Sequence, residues 1–145
     1  MLEHRLSKRL TDYWDRVRND NQLPSIDVFN PSVIDDLWQK CFQVSLVMED
    51  GKPIYTYDFI GKELEIIFGS GLAGQKVKSK LSFMPARKMI EHMDNSIKNP
   101  FPIIIEGQFV DEYNKVIKYR SCLLPFGRSR DKISHFVIGV SWKSF

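Results

Sequence analysis

The sequence predicts an α+β domain built on an antiparallel sheet, and three observations carry that prediction. Strand-like runs come in groups, two and then three, and do not alternate with helices as a parallel doubly wound sheet requires. The apolar period shortens to two residues near Phe42, returns to the helical period between Lys62 and Lys98, and shortens again after Pro100. An amphipathic segment at the start offers a helix to lie on or beside that sheet.

Taken in order, Leu2, Leu6, Leu10, Tyr13, Trp14 and Val17 recur at three- and four-residue spacing, so residues 2–18 form a helix with Arg5, Arg9, Asp12 and Arg16 on the opposite side. Asn19-Asp20-Asn21 ends it. Leu23-Pro24-Ser25 opens an irregular stretch, and Asn30 with Pro31 caps a short helix reaching about Trp38. Phe42, Val44, Leu46 and Met48 alternate with Gln43, Ser45, Val47 and Glu49, and turn residues 49–53 join this strand to Ile54 through Ile60 in a hairpin. The inward side of that second strand stays open, since Tyr55/Tyr57/Phe59 and Ile54/Thr56/Ile60 are both apolar enough.

Lys62 to Phe68 is a short helix ended by Gly69, and Gly71 to Gly74 a turn-rich connector. From about Pro85 to Lys98 a longer helix carries Ala86, Met89, Ile90, Met93 and Ile97 on one face, and Asn99-Pro100 stops it. Strands follow at about 101–110, 116–126 and 133–142. The last reads as central, because Phe136/Ile138/Val140/Trp142 and His135/Val137/Gly139 can both be covered. The N-terminal helix is the expected cover for the second set.

At 145 residues the chain suits one domain, divided into a helix at 1–20, a connector with a short helix at 21–40 and a core at 41–143. Hydrophobic residues at 43% and charged residues at 27% lie near the globular average, so disorder is expected only at the ends. The 21 basic and 18 acidic residues are interspersed, without the basic stripe of a nucleic-acid binder. Cys41 and Cys122 form no metal or redox motif, the opening segment is too charged for a signal peptide, and no apolar run approaches the roughly 20 residues of a membrane span. A cytoplasmic location is the expectation.

Three sets of motifs carry a family resemblance. Leu10-Thr11-Asp12-Tyr13-Trp14 with Arg18 precedes Leu23-Pro24-Ser25 and Asn30-Pro31; Tyr57-Asp58-Phe59-Ile60-Gly61-Lys62-Glu63-Leu64 runs through Phe68-Gly69 to Leu72-Ala73-Gly74; Leu123-Leu124-Pro125-Phe126-Gly127 precedes Ile138-Gly139-Val140. Together, over about residues 10–140, they resemble the short stand-alone PAS proteins of alphaproteobacteria. The resemblance implies a five-stranded antiparallel sheet of order 2-1-5-4-3, with helices across one face enclosing a small cavity, in a family that senses ligands or binds partners. Asp58 stands where that group often has arginine, so an anion-binding role there does not carry over.

Several sharper motifs dissolve on inspection. Gly69-Ser70-Gly71-Leu72-Ala73-Gly74 matches GxGxxG, yet a short helix precedes it where a dinucleotide site needs a strand, and Glu91 and Asp94 fall in a helix pattern. A turn is the simpler reading. Haem-binding relatives commonly use a histidine on the helix before the third strand, but on the helical wheel His92 lies roughly 100° from the apolar face, which predicts an exposed side chain. His135 is expected to be a hydrogen-bonded packing residue. Covalent flavin relatives need a cysteine in the helical middle, and residues 61–100 have none. Asp58, Glu106 and His135, the acid–base candidates within strand patterns, show no spacing that brings them together. The basic positions Lys76, Lys78, Lys80, Arg87, Lys88, Arg128, Arg130 and Lys132 read as solvated loop and helix faces.

The expectation is therefore a PAS-type sensory or signalling module with no enzyme activity, no cofactor and no metal, whose output is made in trans. Its cavity would take a small apolar or amphipathic ligand among Phe42, Val44, Leu46, Tyr57, Phe59, Leu64, Phe68, Met89, Ile90, Met93, Ile105, Tyr119 and Leu123. Its partner would be a signalling protein or a second copy, the homodimer forming on Leu2, Leu6, Leu10, Tyr13, Trp14 and Val17. The alternatives are a ligand-free interaction module and a small isomerase or hydrolase with a polar cavity.

Overall fold

The computed structural model describes residues 5–19, 21–77, 84–111, 113–128 and 132–145. Helix α1 spans Arg5–Arg18; Leu2, assigned above to its apolar face, lies outside the described residues. Two tight helical turns, Ile26–Val28 and Pro31–Ile34, lead to α2, Asp35–Trp38. The Asn30 side chain accepts the Ser32 N–H at 3.1 Å, and Pro31 follows where a missing N–H leaves no bond unmade. Strands β1 (Cys41–Glu49) and β2 (Lys52–Ile60) turn through Asp50 and Gly51, both at positive φ as a primed hairpin turn requires. Then come α3 (Lys62–Phe68), α4 (Met84–Lys98), β3 (Ile103–Val110), β4 (Val116–Gly127) and β5 (Ile133–Ser144). The third strand starts two residues later than the pattern predicts, because Pro100 and Pro102 have no N–H to pair.

The sheet order is β2-β1-β5-β4-β3 with every neighbouring pair antiparallel, which is the expected 2-1-5-4-3. Central β5 is covered on both sides, and the cover differs. On one face Phe42, Val44, Tyr119, Leu123, Phe136, Ile138 and Val140 pack with Leu64 of α3 and Met93 of α4. On the other, Cys41, Cys122, Leu124, Phe126 and Val137 meet Leu6, Leu10, Tyr13 and Trp14 of α1 together with Leu23, Ile34 and Leu37. Helix α1 lies so close that a methyl group at Gly139 would overlap Leu10 Cδ1. Trp14 Nε1–H donates to the Pro125 carbonyl at 2.6 Å, at a point of β4 beyond the end of its pairing with β3.

This face corrects one expectation. Leu6, Leu10, Tyr13 and Trp14 are each at most 3% exposed within a single chain, and Val17 packs against the same cluster. The apolar face of α1 is consumed by its own sheet, and the connector adds Phe29 and Trp38 to seal it, so those residues offer no dimer surface.

A second correction comes from β2. Gln43 pairs with Phe59 but Val44 pairs with Tyr57, leaving Asp58 as an extra, bulged residue. One extra residue reverses the alternation. Tyr55 and Tyr57 point into the α3/α4 side and Ile60 rejoins them, while Phe59 turns to the other side and stacks on Trp38 at 4.4 Å. The open question of the inward face thus has a split answer, and Phe59 lines no cavity.

Gly61 marks the crossing between the two halves. Its N–H donates to the Cys41 carbonyl at 2.8 Å, and a Cβ there would fall onto the Gln39 backbone. The glycine-rich connector after α3 bends back along the outer edge of β2, where Tyr57 N–H donates to the Gln75 carbonyl and Val77 N–H to the Tyr55 carbonyl, each at 2.9 Å. Its role is to cover a sheet edge.

Candidate functional site

The α3/α4 side of the sheet leaves a cavity, and its position follows from the strands. Residues of one parity on β4 and β5, Tyr119/Ser121/Leu123 and Ile138/Val140, form the floor, with Phe42 of β1 and Ile105 of β3 at the sides. Phe68 closes one end, edge-on to Phe42 at 4.8 Å, and α4 supplies Lys88, Met89 and His92 at the rim. The free volume is about 30 Å³, room for a few small atoms and far below the roughly 300 Å³ of a pocket for drug-sized molecules.

Helix α4 is tied down over this floor by the Tyr55 hydroxyl, which donates to Asp94 Oδ1 at 2.6 Å. Burial, and then the bond to Asp94, push the Tyr55 hydroxyl pKa well up, so it stays protonated and keeps donating. Gly107, opposite Tyr119 on β3, is needed for a different reason: a Cβ there would stand 2.6 Å from the Tyr119 hydroxyl, so only glycine lets that ring lie across the edge strand. Burial raises the Tyr119 pKa as well. Tyr119 and Ser121 bring the hydroxyl groups of the lining, and among the described residues the buried side-chain oxygen without a partner is Ser96 Oγ on α4.

Of the residues proposed for the cavity, Phe42, Phe68, Met89, Ile105, Tyr119 and Leu123 line it. Val44, Leu46, Tyr57, Leu64, Ile90 and Met93 belong to the same apolar cluster without reaching the free space. The sequence reading missed Ser121, Ile138, Val140 and Lys88. Ser121 could have been found from its parity with Tyr119 and Leu123. His92 is a correction: it is half-buried at the cavity rim, not turned to solvent. A wheel centred on Met93 treats the sheet as flat beneath the helix, whereas the cavity opens to one side of α4 and admits the flanking residues Lys88 and His92.

The other sheet face brings together a polar cluster that spacing did not reveal. His135 Nε2 lies 3.8 Å from Asp58 Oδ2, Ser134 Oγ is 2.8 Å from His135 Nδ1, and Ser45 Oγ–H donates to Asp58 Oδ1 at 3.0 Å. The bulge at Asp58 and the Ser45–His135 strand pairing bring the two ionisable groups together. Burial lowers the His135 pKa, Asp58 opposes that, Arg128 adds to it and Asp27 opposes it. The cluster lies on the side of β5 away from the cavity. Glu106 is separate, paired with Arg120 on β4. Cys41 and Cys122 are fully buried, and burial pushes both thiols up to about 12, so each behaves as a small apolar residue. No group of three or more potential metal ligands occurs among the described residues.

A five-stranded sheet of this order, with short helices closing a small cavity over one face, defines a PAS-type sensory fold. The family model described as the PAS domain matches residues 2–140, and the chain belongs to that family. As such it is a sensory or signalling module in the general sense, of a kind that typically senses and does not catalyse. No curated protein matches the chain. No helix among the described residues is long and apolar enough to cross a membrane.

Proposed function

We propose that this PAS domain is a cytoplasmic sensor whose cavity takes a small apolar or amphipathic molecule and whose signal leaves through contact with a separate protein. The observation that carries the reading is the cavity itself, a small space between the sheet and α4 whose lining is apolar apart from Tyr119, Ser121, Lys88 and His92. Space left open beside apolar side chains forgoes contacts that close packing would make, and a small molecule that fills it recovers them. The proposal includes no enzyme activity, because the Asp58–His135 cluster and the cavity lie on opposite sides of β5. It also includes no haem or covalent flavin: the 61–100 stretch has no cysteine, and a macrocycle would have to displace Phe42 or Phe68.

A second reading, a ligand-free interaction or dimerisation module, is favoured by the edge strand β3, beside which Phe101, Ile104 and Val110 are exposed. Native mass spectrometry of the protein purified from its source separates the two. Sensing predicts a small non-covalent adduct that disappears on denaturation. A protein that is empty in every preparation, and dimeric, would favour the second reading.

A further inference from the structure

Resting on the reading of the cavity as a ligand site, we infer that its ligand is a small amphipathic anion of the short-chain carboxylate class, bound tail inward with its charged end beside Lys88 and His92. Apart from Tyr119 and Ser121 the floor and sides are apolar, and Phe42, Ile105, Leu123, Ile138 and Val140 receive the tail. Among the described residues the rim carries the cation Lys88 and no acid. Lys88 and His92 stand four residues apart on α4 and therefore on the same side of the helix.

Among the described residues no carboxylate lines the cavity. Of the two on α4, Glu91 is exposed and outside the lining, and Asp94 accepts the Tyr55 hydroxyl. The sequence extends the bias, since residues 66–90 contain five basic side chains and no acidic one. Of these, Lys88 stands at the cavity rim. An alkylammonium ion would meet like charge at that rim. A neutral alcohol would gain the apolar burial and nothing from Lys88. A carboxylate gains both, and the small volume limits the tail to a few carbons.

The test uses the full chain with 13C-labelled methionine methyl groups, titrated with sodium butyrate, 1-butanol and butylammonium chloride at low salt. Met89 at the rim is the reporter and exposed Met48, at the β1–β2 hairpin, the control. Butyrate is expected to shift Met89 and not Met48, with a Kd about twofold to fivefold below that of butanol, the range open to an exposed lysine. Added sodium chloride should narrow the gap. Lys88→Gln should erase it while leaving butanol unchanged, and Lys88→Glu should move butylammonium ahead of butyrate. If butanol or butylammonium binds as well as butyrate to the unaltered protein, the anion inference is wrong and the cavity reading stands. If none of the three moves Met89, both fall.

Discussion

The two faces of the sheet are built from neighbouring residues of the same strands and come out differently. On the α1 face a helix of large apolar residues lies flat against Gly139, Cys122 and Leu124, and the connector fills what remains with Phe29, Trp38 and Leu37. That side is solid. On the α3/α4 face the covering helices are shorter or set aside, Phe68 reaches in from one end, and free space stays over Tyr119 and Ser121. The lesson is about division of labour: the face sealed by α1 holds the domain together, which leaves the opposite face free to keep a hole that close packing would otherwise abolish.

Ser121 and Cys122 are adjacent on β4 and point to opposite faces, so one substitution made at each compares them directly. Cys122→Leu forces extra volume into the solid side and should cost about 1–3 kcal/mol in denaturant unfolding. Ser121→Leu places the same side chain in the cavity and should cost less than about 1 kcal/mol, or stabilise, by filling free space. Equal losses at both positions would erase the distinction between the faces.

The smallest effect expected concerns His135 on the solid side. Its folded-state pKa is lowered, chiefly by burial, so the unfolded chain binds the proton more readily. Its contribution to stability is therefore complete above about pH 6.5 and declines as pH falls below that value towards the lowered folded-state pKa. Urea midpoints measured at pH 7.5 and 5.5 should drop more in the wild type than in His135→Asn. An unchanged pH slope in the variant would show that Asp58 compensates the burial in full.

The sequence made much of this fold readable because local rules and tertiary structure agree along most of it. Asp50-Gly51 fits the hairpin turn it makes, Asn30-Pro31 the cap, and the two-sided apolar pattern of 133–142 the central position of β5. What stayed hidden depends on single-residue shifts or on contacts distant in sequence. The bulge at Asp58 inverts the face of Phe59, and both faces of β2 are apolar enough to conceal it. The apolar face of α1 looked larger than one sheet requires, because nothing local shows that residues 23–38 leave a trough for it. His92 was misplaced because helical periodicity records what faces a packed core and is silent about what borders a cavity.

Xenon probes the central claim most directly, since it enters small apolar cavities and ignores filled ones. In methyl NMR of the protein under xenon pressure, Met89, Leu123 and Ile138 should shift while Leu10, Leu124 and Val137 stay still, and Ser121→Leu should abolish the response. Shifts on the α1 side, or none on the cavity side, would contradict the account.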